Sequence, residues 1–593
     1  MPQSHSLAMR PVIYQLFVRH FSNFTEGGVP WGSKAENGCG TFNGINDAAL
    51  RSLADMGVTH VWLTGVLRHA TQTDYSAYGL PADPVCVVKG RAGSPYAVTD
   101  YFDLDPDLAE NPAERREEFG ALLRRCRRHG LTPLMDFIPN HVSRGYASRI
   151  CPECSFGATD DTRSFFAYNN AFYYLSPHGS DREMLLPEGV FAPEQGCGRV
   201  TGNNAATWTP AAHDWYETVK LNYGCDYTHG PHAAAALPGL AARDEAVPRT
   251  WLLMDAVLAW WQKMGIGGFR CDMAHMVPPA FWRWAIARAR LRDESSLFLA
   301  EAYNDHMSLC GGDVHRELLA AGFNGIYDSP AYDTLRGIIG GTRWANDLDR
   351  HDHSESKNFY HGVRYLENHD ELRLPKWNGQ QVPYAALCAA QFAATAGPVL
   401  VYNGQEVGEA AEGAGGYGGD NGRTSIFDYT SLPKLQHWSN GGAYDGAAMT
   451  ETERTLRGFT ASFLPLLQHP ALANGTFYGL NWANRATDGF GCESGDSISG
   501  HRLFAFLRHA RKARATVLVL CNLSETADFT TALHIPLHAQ EWAGKKPVPA
   551  KEFSFVNLLH PDAEPLCATS EQLATTGLPL TIPAGEALVL EWC

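Results

Sequence analysis

Four short apolar runs in this chain of 593 residues end in side chains able to do acid–base chemistry. They are Asp136-Phe137-Ile138-Pro139-Asn140-His141, Gly268-Phe269-Arg270-Cys271-Asp272, Leu299-Ala300-Glu301 and Glu367-Asn368-His369-Asp370. A buried strand reads apolar throughout, so a carboxylate at its C-terminal end must be satisfied or used. Two carboxylates with a third acid are the minimum set for retaining glycoside hydrolysis. Arg270 and Asp272 are two apart, so on a strand they share a face. A guanidinium there favours the ionised carboxylate and lowers its pKa, as a nucleophile requires. Glu301 follows Ala300 in a partly apolar setting, which raises a carboxyl pKa and suits a general acid that later acts as base. His141, His369 and Asp370 end other strands, placed to hydrogen-bond a sugar ring that gains positive charge.

Sequential strand ends of this kind fit a (β/α)8 barrel, whose reactive groups come from the C-terminal ends of several strands. Strand and helix patterns alternate accordingly. Strands are predicted at Val12 to Val18, His60 to Leu63, Thr132 to Phe137, Gly267 to Cys271 and Leu297 to Glu301. Later ones fall at Gly325 to Tyr327, Tyr365 to Glu367 and Val399 to Tyr402. Helices are predicted at Ile45 to Met56, closed by Gly57, at Ala113 to His129, Arg249 to Met264 and Pro278 to Leu291. The βαβα order implies a parallel sheet. Between Val142 and Asn222 the rhythm breaks into Gly, Pro, Asn and aromatic residues, which reads as a small domain inserted after the third strand. Beyond a helix at Glu451 to Gln468, short alternating segments at Arg502 to Arg508, Thr516 to Asn522, Phe553 to Leu558 and Ala587 to Trp592 signal an antiparallel β-sandwich. The expected division is a barrel from 1–141 and 223–470, an insert over 142–222 and a C-terminal domain over 471–593.

The net charge of −16 argues against a nucleic-acid or anionic-membrane partner, which needs clustered Lys and Arg. No apolar leader precedes the first strand and no run is long enough to span a bilayer, so the expected compartment is the cytoplasm. Cys126, Cys271, Cys388 and Cys521 fall inside core elements and read as small buried hydrophobes. Cys151-Pro152-Glu153-Cys154 has metal-ligand spacing, but no second pair follows at zinc-finger distance, and free thiols in a loop are expected.

The four segments, in this order, resemble the four short motifs of the α-amylase superfamily, glycoside hydrolase family 13. The resemblance implies Asp272 as nucleophile, Glu301 as acid/base and Asp370 as transition-state stabiliser. It also implies Arg270, His141 and His369, with Asp136 beside them, as contacts in the subsite of the reacting glucose. Val12-Ile13-Tyr14-Gln15 matches the first strand, and Tyr96 in Ser94-Pro95-Tyr96 matches the aromatic stacked on that glucose. Gly397-Pro398 leading to Tyr402-Asn403-Gly404-Gln405-Glu406 looks like the eighth strand and its loop. The likeness covers roughly residues 10 to 470.

No cofactor is required for such chemistry, but the resemblance implies a structural calcium, with Asn140 as its candidate ligand. The family pattern departs after Asp272, where Met273-Ala274-His275-Met276 replaces the usual small residue and basic pair and alters the acceptor side. Trp208 and Trp215 either stack on sugars or form the insert's own core. With Tyr216, and with Tyr417 in a glycine-rich loop over Glu409 to Arg423 that is expected to act as a mobile lid, they are the candidate specificity residues. The expected activity is retaining hydrolysis of short linear, cyclic or branched malto-oligosaccharides. Transglycosylation or isomerisation on the same site is the alternative, and a non-catalytic sugar-binding barrel a remote one. Linkage, exact substrate and oligomeric state are not legible.

Overall fold

The computed structural model describes residues 9–175, 191, 194, 197–211, 213–352, 359–377, 382–411, 417, 419–487, 489–491 and 502–593. Eight strands close into a parallel barrel: β1 (Val12–Phe17), β2 (His60–Thr64), β3 (Thr132–Phe137), β4 (Gly268–Cys271), β5 (Leu297–Ala300), β6 (Gly325–Tyr327), β7 (Gly362–Tyr365) and β8 (Val399–Tyr402). Each pairs with its sequence neighbours and β1 closes on β8. The period-2 alternation of a strand sorts their side chains into two cores. Ile13, Trp62, Leu134, Leu299, Tyr327, Tyr365 and Leu400 fill the inside, whereas Val12, Tyr14, Leu16, Val61 and Leu63 face the surrounding helices.

Those helices include α1 (Asp47–Asp55), α2 (Arg115–Arg128), α3 (Arg249–Met264), α4 (Pro279–Arg292), α5 (Val314–Ala321), α6 (Ser329–Ile339) and α7 (Ala345–His351). Asn46 caps α1 by accepting from the Ala48 and Ala49 amides, and Gly57 turns the chain out at φ 94°, as its sequence position suggests. β7 begins three residues before the predicted strand, so the Glu367–Asp370 run lies beyond it in a loop. Among the described residues, no helix is long and apolar enough to cross a membrane.

After β3 the chain leaves the barrel. His141–Ser143 pairs antiparallel with Thr218–Lys220, and Tyr174–Leu175 with Gly198–Arg199. A second excursion, between β2 and α2, is a feature the sequence did not single out. Its Ala70, Val87, Val88 and Ala97 share one small core with Tyr173, Leu175, Val200 and Tyr216 from beyond β3. The C-terminal part carries a six-stranded antiparallel sheet and a two-stranded one. In chain order its strands are β9 (Thr476–Gly479), β10 (Leu503–Ala510), β11 (Ala515–Asn522), β12 (Phe529–Leu533), β13 (Glu552–Asn557), β14 (Leu566–Thr569), β15 (Leu578–Ile582) and β16 (Ala587–Trp592). The large sheet runs β9-β10-β11-β16-β13-β14 and the small one pairs β12 with β15. Inward positions such as Ala505, Leu507, Leu518 and Leu590 meet Leu533, Leu578 and Ile582 between them, as a sandwich requires.

Candidate active site

Arg270 is the hub. It stands in register with Asp136 on β3 and Leu299 on β5, and its guanidinium is almost wholly enclosed at 1% exposure. One terminal nitrogen donates to Asp272 Oδ1 at 2.8 Å, and the other lies 2.9 Å from Glu301 Oε2. Asp136 Oδ1 lies 3.6 Å from the nitrogen that donates to Asp272. Asp272 follows β4 directly, its amide bonded to the Phe137 carbonyl, and Glu301 follows β5, its amide bonded to the Cys271 carbonyl. Both acids therefore grow out of rigid parallel pairing, and one guanidinium spans them. Asp272 Oδ2 is buried and has no hydrogen-bond partner among the described residues.

Met273, directly after Asp272, has φ 43° and ψ 43°, a left-handed conformation unusual for a side chain of its size. That turn brings its amide to Glu301 Oε2 at 3.0 Å. Tyr303 donates to the other oxygen, Oε1, at 3.2 Å. Backbone strain here positions a donor on a carboxylate.

His369 forms the opposite wall. Gln15 Nε2 lies 2.8 Å from its Nδ1. The imidazole Nε2 meets the Tyr96 hydroxyl at 2.6 Å and Asp370 Oδ2 at 3.0 Å. Tyr96 stacks on His369 at 5.3 Å, and the rings of Trp62 and Tyr96 both lie within 5.5 Å of the Arg270 Cζ. Asp370 keeps 46% of its side chain exposed, the most open setting of the three acids. Enclosure acts to raise its carboxyl, but the charge and hydrogen bond of His369, with Arg270 and Arg423, hold it down at about 2.

The electrostatics of Asp272 reverse the sequence expectation. Burial and the Glu301 charge, with Asp136 behind them, raise its pKa well above the usual carboxylate range, against the pull of Arg270. In the sequence one guanidinium faces one acid; in the fold three carboxyl groups share it. Burial likewise raises Asp136.

His141 lies beside this group, its ring 5.6 Å from that of Trp215. Burial, then Lys220 and Lys89, lower its pKa to about 3. Asn140 is taken by other partners. Its Oδ1 accepts from the Lys220 ammonium at 2.7 Å, and its Nδ2 donates to the Gly202 carbonyl at 2.8 Å. The Lys220 amino group, whose pKa burial lowers to about 7, already sits on the oxygen a calcium would use, so these residues do not fit the calcium site that the resemblance implied. Cys151 and Cys154 are joined as a disulfide, where free thiols were expected, because the turn at Pro152–Cys154 brings the two sulfurs together. Their sulfurs and the Glu153 carboxylate lie close together, but the disulfide leaves no thiolate there to hold a metal.

The candidate specificity aromatics divide. Trp208 packs on the small core shared by the two excursions, and Tyr216 is buried there with Arg144 4.1 Å over its ring. Tyr216 therefore offers no face to a ligand. Trp215 stands against His141, and Tyr417 packs edge-on to Phe427 at 5.2 Å and Trp31 at 6.3 Å. The residues 412–416 and 418 of the expected lid lie outside the described residues. On the acceptor side His275 is fully buried and faces Asp305 Oδ2 at 3.1 Å, while Met276 belongs to the core. Gln15, Trp62, Tyr303, Tyr327 and Lys220 were not found from sequence as site residues. Gln15 carried a signal, being the one polar residue in the run Val12–Phe17 apart from the Tyr14 hydroxyl.

Residues 15–298 match the family described as alpha amylase, catalytic domain. The alpha-amylase MalA of Haloarcula japonica is 25% identical over 409 residues, covering 67% of this chain and 44% of that protein. The cyclomaltodextrinase of Geobacillus thermopakistaniensis is 22% identical, covering 67% and 56%. Maltase 1 of Drosophila virilis is 24% identical, covering 44% and 31%. The chain thus spans about half the length, or less, of these curated relatives. Among solved structures, a noncanonic maltogenic alpha-amylase AmyB from Thermotoga neapolitana superposes with a TM-score of 0.57 at 18% identity, covering 98% of each chain. An alpha-amylase from Lactobacillus plantarum gives 0.57 at 19%, covering 98% of this chain and 99% of that one. These likenesses concern the fold.

Proposed function

The chain belongs to the α-amylase superfamily, glycoside hydrolase family 13, and from that premise we propose that it cleaves α-glucosidic bonds of malto-oligosaccharides with net retention. The observation that carries the proposal is the pairing of Asp272 and Glu301 on one guanidinium, with Asp272 Oδ2 unpartnered among the described residues. In this reading Oδ2 attacks the anomeric carbon while Glu301 delivers a proton to the departing oxygen. The C–O bond breaks as the Asp272 ester forms, and the leaving sugar departs as an alcohol. Water, deprotonated by Glu301, then attacks the anomeric carbon, returning Asp272 as carboxylate and Glu301 as acid. Tyr96 covers a face of the sugar, His369 and Asp370 hold its hydroxyls, and the open Asp370 carboxylate faces the charge that grows on the ring.

Short substrates are part of the proposal. Trp62 and Tyr327, buried in the barrel interior, and Tyr96 stand within 5.6 Å of the Arg270 Cζ and hold that guanidinium in place. The names of relatives that act on maltose and cyclomaltodextrin are consistent with such a diet. Proton NMR of maltotriose to maltohexaose digests should show the α-anomer first, and kcat/KM should favour these sugars over soluble starch. A β-anomer first, or a large preference for starch, contradicts the respective part. A second sugar in place of water would make the same intermediate a donor for transfer; new, longer products at high sugar concentration would reveal that reading.

A further inference from the structure

We propose that a groove between α7 and the turn after β9 is a second, non-catalytic binding site for an α-glucan chain. The proposal rests on the glucan reading above. The groove, of about 570 Å3, is lined by Asn346, Asp349 and Arg350 of α7 and by Asn481, Trp482 and Arg485 of the turn. It shares no residue with the Arg270 site.

Trp482 is its main feature, a large apolar side chain left 49% exposed. An isolated surface tryptophan means little, but this one is braced. Its ring stacks on His538 at 5.5 Å and 30°, His538 meets Tyr478 at 6.1 Å, and Tyr478 meets Trp542 at 5.1 Å. Four rings from two segments form a strip along the C-terminal sheet. A braced indole has lost its rotamer freedom before any ligand arrives, so stacking costs little further entropy.

The turn beneath the indole is equally preset. Asn481 is fixed by donating to Asn346 Oδ1 at 2.8 Å and to the Leu503 carbonyl at 2.9 Å, and by accepting from the Ala505 amide at 2.9 Å. Asp349 carries an Oδ1 that is buried and has no hydrogen-bond partner among the described residues. Only a glycine at 479 lets that carboxyl in, since a Cβ there would overlap Asp349 Oδ1. Burial, then Asp352, raises the Asp349 carboxyl to about 7, so it can either donate to or accept from a hydroxyl. Arg485 is exposed on the rim, and Arg350 lies 3.4 Å from Asp347.

An apolar ring face bounded by donors and acceptors matches a pyranose, which is apolar on its faces and hydroxylated at its edge. Asp347, 3.4 Å from Arg350, offsets one of the two guanidinium groups, so the positive field of the groove is reduced. A groove open along its length, rather than an enclosed pocket, fits a chain of such sugars.

The test is affinity electrophoresis of the full chain in native gels cast with soluble starch, using Asp272→Asn as the parent so that the starch is not consumed. Adding Trp482→Ala should weaken the apparent affinity about fivefold or more, adding Arg485→Ala should weaken it less, and Trp482→Phe should restore most of it. In the otherwise native chain, Trp482→Ala should leave kcat/KM on a small activated α-glucoside unchanged. Undiminished starch retention in Asp272→Asn/Trp482→Ala would overturn the proposal. So would a change in oligomeric mass with unchanged starch binding, which would make the strip a protein interface. If the native chain fails to turn over α-glucosides while Trp482-dependent starch retention persists, the catalytic reading fails and the second site stands.

Discussion

Lys220 donates its ammonium to Asn140 Oδ1 at 2.7 Å, at the point where the chain returns from the excursion after β3. A protein N–H donor thereby occupies the side-chain oxygen that the resemblance would have given to a metal. Prolonged treatment with EDTA is expected to leave melting temperature and activity unchanged. A fall in either that added calcium restores would contradict this. Lys220→Ala, by contrast, strands a buried oxygen and should cost about 1–3 kcal/mol in unfolding experiments.

The pH dependence of activity should carry the mark of crowded acids. Asp272 must be ionised to attack, and burial with the Glu301 and Asp136 charges raises its pKa. The acid limb of kcat/KM is therefore expected above the ordinary carboxylate range. Asp136→Asn removes one of the charges responsible, so it should move that limb to lower pH. A limb that stays in place or moves upward would show that Asp136 does not bear on Asp272 in this way.

Stability should respond to His141 in its own way. Burial, aided by Lys220 and Lys89, holds the imidazole neutral down to about 3, whereas an unfolded histidine titrates near 6.5. Below about 6.5 the unfolded chain takes up a proton that the folded chain refuses, so folding is weakened as pH falls toward 3. The full interval corresponds to on the order of 5 kcal/mol. His141→Gln should flatten the fall of melting temperature between about pH 6.5 and 4, and an unchanged slope would place its origin elsewhere.

The aromatic candidates are expected to separate by experiment as they do by packing. Trp208→Ala opens part of the small core and should destabilise the protein by roughly 1–3 kcal/mol while preserving the chain-length profile. Trp215→Ala and Tyr417→Ala should shift that profile and leave hydrolysis of a small activated α-glucoside mostly intact. A length shift from Trp208→Ala at unchanged stability would reverse the assignment.

Much of this arrangement was legible from residue order because the barrel ties chemistry to strand ends. Apolar runs closing in Asp272 and Glu301 marked both β4 and β5 and the acids they deliver. The alternating segments from Arg502 onward likewise marked the antiparallel sheets. What sequence could not supply was the count of neighbours. One arginine two residues from Asp272 suggested a lowered pKa, but Asp136 and Glu301 arrive from other strands and reverse the balance. Lys220 on Asn140, 80 residues apart, is equally a product of tertiary closure. Tyr216 reads as a free aromatic in the sequence, and only the fold lays Arg144 over its ring. The Cys151–Cys154 bond depends on a turn conformation that spacing alone leaves open.

The most direct test of the account is to trap the intermediate. The chain would be exposed briefly to a 5-fluoro-α-glucosyl fluoride, which forms the ester quickly and releases it slowly, then digested and mapped by mass spectrometry. The account predicts one added fluoroglucosyl mass, on the peptide containing Asp272, and none in Asp272→Asn. A label on Glu301 or Asp370, or catalytic turnover that yields the β-anomer with no label at all, would contradict it.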